Sequence, residues 1–493
     1  MLKGKIARGA AWMLLFRVLD RSLGLISTFI LARLLLPADF GVVAMAMSVI
    51  ALIELASAFS LDVPLIQRPE LTRAHYDTAW TFNLMFASGC GMATAALAYP
   101  TAAFYDEPRL ATVMFVLGAG WCLQGLENIG IVNFRRTMQF HRETAFLLGR
   151  RFSGFIVGVG CAIWLRSYWA LVAGMLTTRL TGVALSYLME PYRPRFSLRA
   201  RADLFAISVW LLLNNILQFA MMRVSHFIIG RFYDARILGL YSVGAELAYM
   251  PQTQLIAPVN RAVFPGYSRM VANPGEMRSG FIDINAFIGA LALPAGIGIA
   301  VLAEPIVHVL LGENWLDAVP VMQILAFSGA ASALMSNTYS AYLALGRPYI
   351  PTILLLVEVL VLVPGLILLP GRFGVNGVAY AELLAVMMGT LCSYPMLFRT
   401  LKISSLAYIS NLWRPALAAV AMGAAVATLV NGPYEPLSPI AELLAGVATG
   451  VVLYGVVLFG LWYISGRPRG AEHTLIGLIA SRIHRPLHPA SET

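Results

Sequence analysis

The chain has 493 residues, of which 59% are hydrophobic and 12% charged, with a formal net charge of +10. Soluble domains carry roughly 25% charged residues, so this composition excludes a soluble globular protein. Apolar runs of about 20 residues, the length that crosses about 30 Å of hydrocarbon, recur along nearly the whole chain. The alternating segments of about 10 residues that a β-barrel needs are not seen.

The reading is an all-α polytopic membrane protein with about fourteen transmembrane helices. In chain order the spans are expected near 9–35, 39–66, 79–103, 110–133, 147–165, 168–190, 206–231, 238–263, 281–303, 319–344, 349–369, 375–397, 412–430 and 440–464. The first contains Arg17, Asp20 and Arg21 and no small-residue cleavage site, so it reads as a retained span. Trp12, Trp80, Trp164, Trp169, Trp210, Trp413 and Trp462 fall near span ends, as interfacial belts require; Trp121 falls near the middle of its span. Pro251 and Pro258 interrupt the eighth span, Pro294 the ninth and Pro364 the eleventh, which predicts kinks. The segment 304–318 is amphipathic and reads as a half-embedded loop. Cys90, Cys122, Cys161 and Cys392 all lie in apolar runs, which argues against disulfides. The tail, 466–493, is basic. It reads either as a short amphipathic helix on the membrane surface or as a disordered segment, with His473, His484 and His488 as surface residues.

The basic residues are not spread as a nucleic-acid binder would spread them. Lys3, Lys5 and Arg8 open the chain. Arg135, Arg136 and Arg142, then Arg193, Arg195, Arg199 and Arg201, then Arg261, Arg269 and Arg278, then Arg399 and Lys402 fill alternate loops. The opposite loops hold Arg109, Arg166, Arg236 and Arg372. The positive-inside rule then puts both termini in the cytoplasm, with a bacterial inner membrane as the expected location.

An ungapped repeat runs through the chain. Trp12, Leu14, Leu15, Leu19, Arg33 and Gly41 recur 198 positions later as Trp210, Leu212, Leu213, Leu217, Arg231 and Gly239. Six spans precede the basic loop at 191–203, so the seventh starts on the same side as the first and the repeat is parallel. The expected organisation is a first lobe at 1–203, a second at 204–402, two extra spans within 403–465, and the tail.

The repeat also isolates a polar face. On the first span Arg17, Asp20, Gly24 and Ser27 share one helical stripe, with Arg21 beside it. Their mates are Asn215, Gln218, Met222 and Ser225. On the second span Glu54 and Asp62 have Gln252 and Asn260 as mates. Charge at membrane depth costs roughly 2.5–3.5 kcal/mol per residue on insertion scales, so such residues need a partner or a water-filled path. A simple hairpin register pairs Arg21 with Glu54 and Arg17 with Asp62. Static packing pairs are one reading. The other is a substrate path, in which Arg17, Arg21, Asn215, Gln218 and Arg223 contact an anionic head group such as a pyrophosphate. Asp20, Glu54 and Asp62 then hold the arginines in the empty site or carry a coupling ion, H+ or Na+. Further charges at depth are Glu127, Arg179, Glu246, Glu358 and Glu382. No GxSxG, HExxH, P-loop or metal-ligand spacing occurs, so no enzyme activity, ATP-driven pumping, metal or cofactor is expected.

Several segments together resemble a known family. They are Ile30-Leu-Ala-Arg-Leu-Leu-Leu-Pro-Ala-Asp-Phe-Gly41, Leu311-Gly-Glu-Asn-Trp-Leu-Asp-Ala318 followed by Gln323-Ile-Leu-Ala, Gly346-Arg-Pro348, and Gly374-Val-Asn-Gly-Val-Ala379. They resemble the polysaccharide-transporter family of the multidrug/oligosaccharidyl-lipid/polysaccharide (MOP) flippase superfamily, over about residues 1–430. The resemblance implies two parallel six-helix lobes (MATE-like) around a cationic cavity. It further implies ion-driven transfer of undecaprenyl-pyrophosphate-linked oligosaccharide from the cytoplasmic to the outer leaflet. The partners would be that lipid-linked substrate, the bilayer, and a polysaccharide polymerase or chain-length regulator, with no nucleic acid. Three rivals stand beside it. A multidrug or cation antiporter of the same superfamily would favour acidic excess. A lipid II flippase fits the quoted segments less well. A membrane-bound polymerase or ligase needs a sizeable extracytoplasmic loop, which this chain lacks.

Overall fold

The computed structural model describes residues 2–56, 65, 71–199, 209–432 and 438–468, and side chains for all of these except 2–11, 14, 56 and 209–215. Among the described residues there are helices and no strand. Hydrocarbon offers backbone groups no water, and a helix satisfies its own N–H and C=O groups. The chain divides into two compact units, Met1–Ser242 with Leu310–Asn314, and Val243–Val309 with Trp315–Thr493.

The first unit contains α1 (Leu2–Leu34), α2 (Pro37–Ala56), α3 (Arg73–Ala96), α4 (Ala98–Tyr105), α5 (Arg109–Gln124), α6 (Val132–Arg136), α7 (Phe140–Leu165), α8 (Trp169–Met189), α9 (Val209–Phe232) and the start of α10 (Ala235–Ala248). The second contains α11 (Ala257–Met270), α12 (Pro274–Val301), α13 (Ala303–Leu310), α14 (Val319–Ala344), α15 (Tyr349–Leu368), α16 (Pro370–Phe373), α17 (Val375–Leu401), α18 (Ser405–Val430) and α19 (Pro439–Ile464).

Nine of the described helices are long and apolar enough to cross a membrane, and eleven if two bent pairs each count as one span. The pairs are Arg73–Ala96 with Ala98–Tyr105, bent by 47°, and Arg109–Gln124 with Ile129–Arg136, bent by 64°. The expected fourteen are reached only by adding α1, α9 and the α10–α11 segment, which fail the same test. The charges on α1 lower its hydropathy. The α10–α11 segment is broken where two kinks were expected: Pro251 and Pro258 each lack an N–H, and between them the helix loosens into a π turn, Gln252–Ile256. The segment expected as a half-embedded loop is instead α13 followed by a 3-10 helix, Glu313–Ala318, with Trp315 fully buried.

Within each unit the helices pair in the same order. In the first, α3 packs on α5, α5 on α8, and α7 on α8. In the second, α12 packs on α14, α14 on α17, and α15 on α17. The last two helices pair with each other, and α18 also packs on α12. Deep in the second unit two fully buried amides hold α12 to α14: Asn337 donates to Asn285 at 3.3 Å. Tyr267 donates to Asn337 at 2.9 Å, and Asn285 donates to the Tyr408 hydroxyl at 2.6 Å. Such side-chain bonds are the adhesive available between helices where the hydrophobic effect offers none.

Two turns related by the repeat meet inside the first unit. Asp39 accepts from the backbone N–H of Leu36 and of Tyr168, each at 2.9 Å, fixing the α1–α2 turn to the start of α8. Asp234 accepts from the Ile237 N–H at 2.8 Å and caps α10. A Cβ built on Gly41 would lie 1.6 Å from the Ala235 carbonyl oxygen, and one on Gly239 would lie 1.8 Å from the Pro37 carbonyl oxygen. Ala235 is the repeat mate of Pro37, and Gly239 of Gly41, so the contact is reciprocal.

The basic stretch after α8 is pinned to α3. The Asp77 carboxylate accepts from the Tyr192 hydroxyl and from the Arg195 N–H at 2.9 Å, while Asn128 donates to the Tyr192 carbonyl at 2.6 Å. Burial, and then the hydrogen bond to Asp77, push the Tyr192 phenol up.

Gly41→Ala and Gly239→Ala should each cost about 1–3 kcal/mol through overpacking, although alanine is otherwise the better helix former. Gly266→Ala, which meets nothing within 4 Å, is the control. Thermal unfolding of the purified variants reads the difference, and equal midpoints for all three would refute the tight crossing. A second expectation concerns the α4–α5 turn. Arg109 donates to both oxygens of Glu107, at 2.8 and 2.7 Å, and this bond holds the Glu107 carboxyl below the ordinary carboxylate range against the opposing effect of burial. The pair therefore stabilises the fold fully above the unfolded carboxylate pKa of about 4.3 and loses that contribution as pH falls through the lowered folded value. Glu107→Gln should flatten this part of the pH–stability curve, measured by melting between about pH 6 and about pH 3.

Candidate functional site

The charges at membrane depth in the first unit come from five helices. On α1 the stripe of Arg17, Asp20 and Gly24 faces outward in part: Arg17 and Arg21 are exposed, and neither has an ion pair among the described residues. Asp20 is met by Arg151 of α7, with Nε 3.3 Å from its Oδ1. The Arg151 guanidinium lies along α1 at Gly24, where an added Cβ would come within 3.2 Å of Nη2. The neighbouring Arg150 points to a different partner, Glu127, at 3.6 Å.

Arg179 on α8 has three restraints. Its guanidinium lies over the Trp121 ring at 4.5 Å from the centroid, its Nη1 donates to the Leu117 carbonyl at 3.3 Å, and it interacts electrostatically with Glu54. Stacking on tryptophan is the strongest form of the cation–π contact, and it orients the planar fork. Glu54 on α2 lies in the field of both Arg179 and Arg223 of α9. Arg150 and Arg179 are close enough to repel one another.

The register expected from the sequence is therefore not the one adopted. Glu54 sits with Arg179 and Arg223 instead of Arg21, because α2 packs on α9, α5 and α3 while α1 leans on α7. The same divergence gives Asp20 its partner in Arg151. Arg223 joins the cluster. Gln218 is exposed on α9. Asp62, the side chain of Asn215 and the tail from residue 469 lie outside the described residues. Three further residues are central here. Arg150 and Arg151 follow just after the basic loop of Arg135, Arg136 and Arg142, a position that does not single them out in the sequence. Trp121 was noted only as a tryptophan out of its belt, which was the available signal.

Six arginines (Arg17, Arg21, Arg150, Arg151, Arg179, Arg223) stand against three described carboxylates (Asp20, Glu54, Glu127). Of these, Arg150, Arg179 and Arg223 are linked through Glu127 and Glu54, and that group can hold an anion by charge-assisted, bidentate bonds. No group of three or more His, Cys, Asp or Glu among the described residues is placed to hold a metal ion.

The family model for "Polysaccharide biosynthesis protein" matches residues 30–320. The lipopolysaccharide biosynthesis protein WzxC of Escherichia coli (strain K12) is 24% identical over 425 residues, covering 84% of this chain and 85% of that protein. The succinoglycan biosynthesis transport protein ExoT of Rhizobium meliloti (strain 1021) is 26% identical over 468 residues, 92% of each. Among solved structures, the lipid II flippase MurJ in an inward closed conformation superposes with a TM-score of 0.75 at 13% identity, covering 92% of this chain and all of MurJ. An inward-facing multidrug resistance MATE family transporter of the MOP superfamily superposes with a TM-score of 0.56 at 14% identity, covering 78% of this chain and 96% of that one. The two structural likenesses are of fold alone, and the family match leads to one statement: the chain is a multi-pass membrane protein that belongs to the polysaccharide biosynthesis protein family.

Proposed function

We propose that this protein flips a polyprenyl-pyrophosphate-linked oligosaccharide, undecaprenyl in bacteria, from the cytoplasmic to the outer leaflet of the inner membrane. The observation that carries the reading is the arginine excess of the first unit at membrane depth, on a fold shared with flippases. A pyrophosphate presents several anionic oxygens, and planar guanidinium groups bind such oxygens in pairs. In the empty site Glu54, Glu127 and Asp20 offset part of the cost of burying the arginines. An arriving pyrophosphate replaces those carboxylates, so Arg150, Arg179 and Arg223 exchange partners instead of losing them. Trp121 and the Leu117 carbonyl keep Arg179 oriented while this happens. An arginine excess is poorly suited to a cationic drug, which sets the antiporter reading behind this one.

The remaining parts follow from this reading. Both termini face the cytoplasm, where the basic loops lie. The Gly41–Gly239 crossing lies at the extracytoplasmic end, and it opens when the substrate leaves. Transfer needs no covalent chemistry, so the protein is not an enzyme, and an ion gradient supplies the driving force. A polymerase receives the flipped unit.

Cells depleted of the protein should accumulate single repeat units on undecaprenyl pyrophosphate, confined to the cytoplasmic leaflet, as read by mass spectrometry and sidedness probes on sealed vesicles. Normal lipid intermediates and normal surface polysaccharide would overturn the reading. Arg179→Ala and Arg223→Ala should each lower export about 10–100-fold at unchanged protein level, the equivalent of losing a charge-assisted bond worth about 1.5–3 kcal/mol. Arg179→Lys should recover only part, because the charge returns without the fork. Wild-type export by both alanine variants would remove the arginines from the site.

A further inference from the structure

The second unit holds a buried carboxylate that the pyrophosphate site does not use. Glu358 is the one charged residue of α15, a span with a mean hydropathy of 2.5. It is 7% exposed, and no hydrogen bond or ion pair reaches it among the described residues. Its carboxyl end lies in the seam between α15 and α17, against bare backbone: a Cβ built on Gly389 would come within 2.3 Å of Oε1. Glu382 lies seven residues earlier on α17, hence two turns away on the same face, about 10 Å along the axis. It too is buried. Between them in electrostatic terms stands Tyr249, which interacts with both carboxylates. Its hydroxyl donates to Glu382 at 3.2 Å and lies 2.9 Å from the hydroxyl of Ser328, which is fully buried on α14.

An ionised carboxylate in such a place is costly, whereas the neutral acid costs far less. Among the described residues the groups shown to meet Glu358 are Gly389 from α17 and, electrostatically, Tyr249 from the turn after α10, which in turn carries Glu382 and Ser328; none is cationic. The first half does not share the arrangement: the repeat mates of Glu358 and Glu382 are Gly160 and Ala184. Glu358, a charge present in one half of the repeat only and without an ion pair among the described residues, is a poor packing device.

We propose that Glu358 is a proton-binding site, neutral in the state described here, with Tyr249, Ser328 and Glu382 as the polar path to it. One proton from water adds to one carboxylate oxygen of Glu358, changing its charge from −1 to zero, and the same proton returns to water on release. The tight α15–α17 seam at Gly389 suits the neutral acid, and a loosened, hydrated seam suits the anion. Proton binding therefore favours one arrangement of the second unit over another, as any ligand with unequal affinity for two states must. That this bias drives transfer of lipid-linked sugar rests on the flippase reading; the existence of the site does not.

The test is infrared difference spectroscopy of the full-length protein in lipid, following the C=O stretch of protonated carboxyl groups as pH is raised. Wild type should show a protonated-carboxyl band at neutral pH that disappears on alkalinisation. Glu358→Gln should lack that band throughout. Glu358→Asp should shift its frequency, which keeps the test open if the glutamine variant fails to insert. Gly389→Ala, by crowding the carboxyl, should shift the band or its titration. The same band in wild type and Glu358→Gln, or no frequency change in Glu358→Asp, would overturn the proposal. So would loss of the wild-type band on adding sodium chloride at constant pH, which would make sodium the ion. No sugar substrate is needed, so a positive band with normal lipid intermediates in depleted cells would sink the flippase reading and leave the proton site standing.

Discussion

Everything in this molecule is built against the cost of placing charge in hydrocarbon. A helix removes that cost for the backbone, but an arginine on the helix restores it, at roughly 2.5–3.5 kcal/mol on insertion scales. The first unit carries six such arginines, and their surroundings are arranged accordingly: Arg151 against Asp20, Arg150 against Glu127, Arg223 near Glu54, and Arg179 over Trp121. Among the described residues the carboxylates of this set are fewer than its arginines. A fold that met the cost only to pack its helices would do better with apolar residues of similar volume. That surplus is what the proposed pyrophosphate substrate would use.

Much of the fold was legible in the sequence because membranes reduce the alternatives. Long apolar runs have one stable answer, and basic residues in alternate loops mark where the runs end. The repeat was legible because Gly41 and Gly239 sit where backbones nearly touch, and a position that admits no Cβ is the kind that survives in both halves. The count of spans was less secure at three places. The first helix is too charged, the seventh is only marginally apolar, and the eighth is interrupted by prolines and a π turn. Each is a departure from a uniform apolar run, and each adjoins the polar face.

The site was legible in part. The α1 stripe emerged from helical periodicity, and Glu54 from its depth. Their partners did not emerge, because a hairpin register assumes that consecutive helices stay together. Here α1 leans on α7 and α2 on α9, so Asp20 and Glu54 find arginines 131 and 169 positions away. Nothing local in a sequence encodes that divergence. Trp121 carried a signal all the same. A tryptophan away from the interface needs a reason to be there, and the reason is the guanidinium of Arg179 on its face.

The two units thus use charge in opposite ways on one helical plan. In the first, guanidinium groups that stay charged at any physiological pH are held by carboxylates and by a tryptophan, an arrangement that can change partners but not protonation. In the second, a carboxylate is buried against Gly389 with no ion pair among the described residues, an arrangement that can change protonation. The helices of both units pair in the same order. On the two proposals made above, specialising one unit for a phosphate and the other for a proton would need only a few side chains, because in so apolar a setting each charge placed or removed is costly. The repeat supplies two equivalent frames, and their differences in buried charge would let one gradient do work on a different substrate.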